Sequence, residues 1–90
     1  MKSIVFEEST LQDYENLRAS NKSLHKKLFT ILREMQRSDD PTQGIGQPEP
    51  LKYEYSGCYS RRLSKKERLI YRFDDDCIYI IFIGGHYDDH

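Results

Sequence analysis

Ser3-Ile4-Val5-Phe6 opens the chain with a short, β-branched apolar stretch, which predicts a first strand. Ser9 or Thr10 can cap a following helix in which Leu11, Tyr14 and Leu17 recur at helical spacing. Asn21 can cap a second helix. There Leu24, Leu28, Ile31, Leu32 and Met35 form an apolar stripe along about four turns, leaving Lys26, Lys27, Arg33 and Glu34 for water. A stripe at this spacing is core. So few polar residues separate the two helices that they should fold back as an antiparallel pair.

Residues 39–50 break the pattern, with Pro41, Gly44, Gly46, Pro48 and Pro50 stopping helices and fixing turns. Glu49 stands between two prolines, on backbone biased toward extended geometry. Apolar alternation then predicts strands over 51–55, 58–63, 68–73 and 77–83, with turns at Ser56-Gly57, at 64–67 and at Asp74-Asp75-Asp76. The last of these strands is apolar on both faces, as a central strand should be. The order β-α-α-β-β-β-β predicts an α+β fold: an N-terminal strand and an antiparallel helical hairpin packed on a mainly antiparallel sheet of four to five strands.

At 90 residues the chain is long enough for one domain, assigned to 1–87, with 88–90 as a short polar tail. No stretch approaches the ~18 apolar residues of a membrane span, and the N-terminus lacks a signal-peptide pattern, so a soluble cytoplasmic protein is expected. Cys58 and Cys77 lack metal-type spacing and read as reduced thiols in or near the core.

The formal net charge of −1 averages over an uneven chain. From 51 to 72 there are seven cations (Lys52, Arg61, Arg62, Lys65, Lys66, Arg68 and Arg72) against two acids, Glu54 and Glu67, whereas the last eighteen residues hold five aspartates and neither Lys nor Arg. A local excess of this kind governs contact with phosphates better than the total does. The second half also carries Glu49, and His86-Tyr87 just past the apolar 77–83 run. A carboxylate, fixed cations, an imidazole and tyrosines are the parts needed to cut RNA without a metal.

These pieces occur in a particular order. Gly44-Ile45-Gly46-Gln47-Pro48-Glu49-Pro50-Leu51-Lys52, then Gly57-Cys58-Tyr59-Ser60-Arg61-Arg62, Glu67-Arg68-Leu69-Ile70-Tyr71 and the terminal His86-Tyr87 resemble the YoeB/Txe toxins of the RelE superfamily. With Phe6-Glu7-Glu8-Ser9 and Asp13-Tyr14, the resemblance spans nearly the whole chain. It implies a RelE-like fold and a toxin of a bacterial type II toxin–antitoxin pair that enters the ribosomal A site and cleaves the mRNA there. It implies no metal or other cofactor. The implied partners are the 70S ribosome and its mRNA, a YefM/Axe-type antitoxin, and operator DNA only through the complex with that antitoxin. Pairing with a second copy is left open.

Metal-free cleavage uses the substrate's own 2′-hydroxyl as nucleophile and needs a base, cations for the growing phosphoryl charge and an acid for the departing 5′-oxygen. Within the resemblance, Glu49 is the base. His86 is the acid, since an imidazole with a reference pKa near 6.5 holds a proton at cellular pH with little tuning. Arg68 is the phosphate clamp, offering a planar fork that stays charged. Lys52 and Arg62 assist it, and Lys65 adds to the basic surface an RNA would meet. Arg61 should face opposite to Arg62 on a regular strand, with a solvent or ribosome-surface role. Tyr87 would stack on, or hydrogen-bond, the target nucleotide.

Two other classes stay on the table. The related ParE toxins share the scaffold and inhibit a topoisomerase without this acid/base set, so a non-enzymatic binder is the alternative. A metal protein built on His86 and His90 would need a helix directly after Gly84-Gly85, which the pattern does not support.

Overall fold

The computed structural model describes residues 1–85. In chain order the elements are β1 (Ser3–Phe6), α1 (Thr10–Ser20), α2 (Lys22–Arg37), β2 (Glu49–Pro50), a single 3₁₀ turn at Tyr53–Tyr55, β3 (Tyr59–Arg62), β4 (Arg68–Phe73) and β5 (Cys77–Gly84). The strands form one five-stranded sheet in the order β1-β5-β4-β3-β2. β1 runs parallel to β5, and the other pairs are antiparallel. The doubly apolar β5 therefore lies inside the sheet, between β1 and β4. Among the described residues no helix is long and apolar enough to cross a membrane.

α2 supplies one wall of the core. Asn21 caps it, its side-chain oxygen accepting from the Leu24 amide at 3.1 Å. The whole predicted stripe is buried, and it packs on Leu63, Leu69, Tyr71, Ile78 and Ile80 from the sheet. α1 is held differently. Ser9 makes no side-chain cap, and it is the Thr10 hydroxyl that donates to the Glu7 carbonyl at 2.6 Å. Tyr14 and Leu17 pack against the core, whereas Leu11 is 54% exposed. One turn of mismatch explains this: α1 leans on β5 and α2 along a narrow strip, and Leu11 falls outside it.

The strand predicted over 51–55 is corrected by the structure. β2 stops after Glu49 and Pro50, which pair with Ser60 and Tyr59. Pro50 stands at a non-hydrogen-bonded position, where an N–H would point away from β3, so its ring costs the ladder nothing. Leu51 makes one more backbone bond, to the Cys58 carbonyl at 2.9 Å, and the chain then reverses through the 3₁₀ turn. Tyr53 sits there at φ +55°. The alternation of Leu51, Tyr53 and Tyr55 imitates a strand but serves a chain reversal.

β4 and β5 are joined tightly. The Asp74 carboxylate accepts from the amides of Asp76 and Cys77, both at 2.8 Å, and from the Tyr79 hydroxyl at 2.9 Å. Between the pairs Ile70↔Phe82 and Tyr71↔Ile80, Ile81 is an extra residue, a β-bulge. Before the bulge Ile78 and Ile80 face the helices. After it Ile83 does, while Phe82 and Gly84 lie on the opposite face.

Two outcomes follow. Leu28→Ala, at a site with no exposure, should lower unfolding free energy by about 2–5 kcal/mol in a urea titration, against less than about 0.5 kcal/mol for Lys26→Ala on the wet face. The hydrogen bond to the Asp74 carboxylate, then that to Cys77, pushes the Tyr79 phenol up to about 12. Its folded value lies above its unfolded one, so its contribution to stability is complete below pH 10 and is lost as the pH rises through about 12. A 295 nm titration should show a late-ionising component near pH 12 that Asp74→Asn brings back toward the ordinary range.

Candidate active site

Directly opposed residues in an antiparallel pair carry their side chains on the same face. On the face turned away from the helices, Glu49, Ser60, Ile70 and Phe82 form one row across four strands. The next row, two residues along, is Arg62, Arg68 and Gly84. With strands about 4.8 Å apart and about 3.4 Å of rise per residue, the backbones of Glu49 and Arg68 are separated by roughly 12 Å. Long side chains can meet around a phosphodiester across such a gap.

Each of these side chains is held by a local device. Glu49 is exposed on the edge strand, on the rigid Pro48-Glu49-Pro50 segment. Arg68 is half-buried, and its Nη1 donates to the carbonyls of Ser64 at 2.8 Å, Glu67 at 3.0 Å and Lys65 at 3.3 Å. Those bonds tie the guanidinium over the β3–β4 turn. Among the described residues, the hydrogen bonds of the Arg68 side chain all run from Nη1. The turn itself is organised by Ser64, whose Oγ accepts from the amides of Lys66 at 3.2 Å and Glu67 at 3.0 Å. It also donates to the Glu67 carboxylate at 2.9 Å. The sequence places a turn at 64–67 but assigns Ser64 no bonding role in it, although a serine three residues before a glutamate is a recognisable turn signal.

Arg62 and Arg68 are paired directly across β3 and β4. Like charges in this relation repel. The arrangement favours an anion between or above them. Lys52 and Lys65 are exposed.

Arg61 is the residue whose expected place the structure corrects. It faces opposite to Arg62, as alternation requires, but that direction leads into the protein, where it has no exposure. Its guanidinium binds the Glu34 carboxylate, the Tyr71 hydroxyl and three backbone carbonyls, which leaves nothing for RNA or a ribosome surface. Beside it, burial pushes the Tyr71 phenol up, with the hydrogen bond from Arg61 opposing that shift.

The described chain ends at Gly85, one residue beyond the Gly84 that pairs with Arg68. His86, Tyr87 and the 88–90 tail lie outside the described residues. Among the described residues no group of three or more His, Cys, Asp or Glu side chains could hold a metal ion. Cys58 and Cys77 are free and half-buried, and burial raises the Cys58 thiol.

A groove of about 740 Å³ lies on the helical side, lined by Phe29, Arg33, Glu34, Arg37, Gln43 and Gly44 among others. It is separate from the Glu49–Arg68 face, where Ser60 and Ile70, between the two, are buried.

A family model described as the YoeB-like toxin of bacterial type II toxin–antitoxin systems matches residues 6–87. The chain is 36% identical over 87 residues to toxin YoeB of Mycobacterium bovis, covering 97% of this chain and all of that one. It resembles the YoeB–YefM complex from Staphylococcus aureus at TM-score 0.84 and 36% identity, covering 97% of this chain and 99% of that one. The YoeB dimer from the same organism matches at TM-score 0.85 and 35% identity, covering 96% and 98%.

Proposed function

The chain belongs to the YoeB-like toxins of bacterial type II toxin–antitoxin systems, and from that premise we propose that it is a ribosome-dependent endoribonuclease that cuts mRNA in the A site. The observation that carries this reading is the open-face constellation: Arg62 and Arg68 paired across strands, with Glu49 one row away on the same face. Two fixed cations and a carboxylate on one face of the sheet suit a bridging phosphate beside a 2′-hydroxyl that must lose its proton.

Glu49 takes that proton as the 2′-oxygen attacks phosphorus. Arg68, with Arg62 paired beside it, stabilises the charge that grows on the non-bridging oxygens, and Lys52 grips a neighbouring phosphate. His86 gives its proton to the 5′-oxygen as the P–O5′ bond breaks, leaving a 2′,3′-cyclic phosphate and a 5′-hydroxyl. Tyr87 stacks on the target nucleotide, and Lys65 meets a neighbouring phosphate. No step calls for a metal or other cofactor. The ribosome supplies the aligned substrate and so holds the target nucleotide in line for attack. A YefM-type antitoxin is the proposed keeper of the inactive state, in line with the partner named for the Staphylococcus aureus relative. The dimer named for that relative makes self-association a property to measure here.

Glu49→Gln and His86→Gln should each lower cleavage on translating ribosomes about 10²–10⁴-fold with unchanged thermal unfolding. Arg68→Ala should do the same and also lower the midpoint, because its Nη1 holds the β3–β4 turn. Primer extension on a translated message should show discrete cuts that persist in excess EDTA, with 5′-hydroxyl ends. Growth arrest with DNA damage and no mRNA cuts would replace the nuclease reading with that of a topoisomerase poison.

A further inference from the structure

Everything around Arg61 converges on one short segment. Nε donates to the Tyr71 hydroxyl at 3.0 Å, and that hydroxyl donates to the Pro41 carbonyl at 2.6 Å. Nη1 reaches both Glu34 oxygens at 3.1 Å and the Ile45 carbonyl at 3.3 Å. Nη2 donates to the carbonyls of Pro41 and Gln43, both at 2.8 Å. Glu34 in turn accepts from the Ile45 amide at 3.2 Å. The backbone from 41 to 45 is thus wrapped around the buried Arg61 guanidinium and its partly exposed partner Glu34.

Two glycines let it wrap. Gly44 has φ +128°, and a Cβ there would lie 1.6 Å from Glu34 Oε1. Gly46 has φ +87°, and a Cβ there would lie 2.8 Å from the Arg62 carbonyl. The Gly46 carbonyl accepts from the Arg62 amide at 2.7 Å, and three residues later Glu49 pairs with Ser60, the neighbour of Arg61. A guanidinium out of water must keep its donors satisfied, so the segment has one conformation compatible with Arg61 and no cheap alternative. A lysine, with three donors on a single atom, cannot bind the same six oxygens.

We infer that Arg61 is a positioning residue: its buried guanidinium templates the 41–46 segment and so sets where the Glu49 carboxylate stands relative to Arg68. The inference rests on the reading of Glu49 as the base. Arg61 never meets the substrate.

The test uses the full chain, with Arg61→Met, Arg61→Lys and Glu34→Gln each made alone and in a Glu49→Gln background. Cleavage of mRNA on ribosomes gives kcat and KM, and ¹H–¹⁵N spectra report the amides of Gly44, Gly46 and Glu49 against Ile78 in the core. Arg61→Met should lower kcat about 10²-fold with KM within about twofold, the size expected of a small misplacement of a catalytic group. Arg61→Lys should recover only part of that loss. The three loop amides should shift while Ile78 stays. In the Glu49→Gln background, Arg61→Met should cost little more, within about twofold, since there is no base left to misplace. If Arg61→Met does not fold, Glu34→Gln carries the test, because Glu34 is partly solvent-exposed; a kcat loss of about tenfold with shifts confined to 41–49 is expected. An unchanged kcat despite shifted loop amides would overturn the inference, as would a full additional loss in the Glu49→Gln background. Wild-type cleavage by Glu49→Gln alone would instead refute the base assignment, and the amide shifts would then judge the templating by themselves.

Discussion

A charge taken wholly out of water must be answered on every side, and around Arg61 that demand organises much of the molecule. α2 answers with Glu34, β4 with the Tyr71 hydroxyl and the long loop with three carbonyls. Helix, sheet and loop are thereby tied at a single point. An apolar residue of similar size would often stabilise a fold as well or better. What an ion pair adds is direction: the carbonyls must arrive where the N–H groups are, and a loop rich in glycine and proline acquires one shape.

The two faces of the sheet divide the labour. The helical face buries the α2 stripe against Leu69, Tyr71, Ile78 and Ile80 and carries the hydrophobic stability. The other face keeps Arg62, Arg68 and Glu49 in reach of solvent or partly so. Strand periodicity lets one short segment serve both, since Arg61 and Arg62 are adjacent in sequence and opposite in fate. The pairing of Arg62 with Arg68 sets two like charges side by side, a local cost of the kind proteins keep where a ligand will relieve it.

Much of this was legible from residue order. The α2 stripe, the Asn21 cap, the bounds of β1 and β4 and the interior place of β5 all follow from periodicity and apolar content. The family motifs pointed to Glu49 and Arg68, and the structure puts both on one face; it describes neither His86 nor Tyr87. Three features were hidden for physical reasons. Arg61 looked like one more surface cation because composition cannot reveal that Glu34, twenty-seven residues away, waits beneath it. Residues 51–55 alternate like a strand, yet the chain turns back through the 3₁₀ turn at Tyr53–Tyr55, with Tyr53 at positive φ. The bulge at Ile81 leaves no trace in an unbroken apolar run, although it turns Phe82 and Gly84 to the opposite side of the sheet.

The brevity of β2 has a consequence of its own. A sheet margin with a full row of unpaired amides and carbonyls invites another chain to add a strand, and ordered aggregates grow in that way. Here the margin next to the basic face is two residues long, ends in a proline and gives way to a tight reversal. Strand-by-strand growth finds no purchase there, so that face can meet a long polyanion without also being a seed for fibrils.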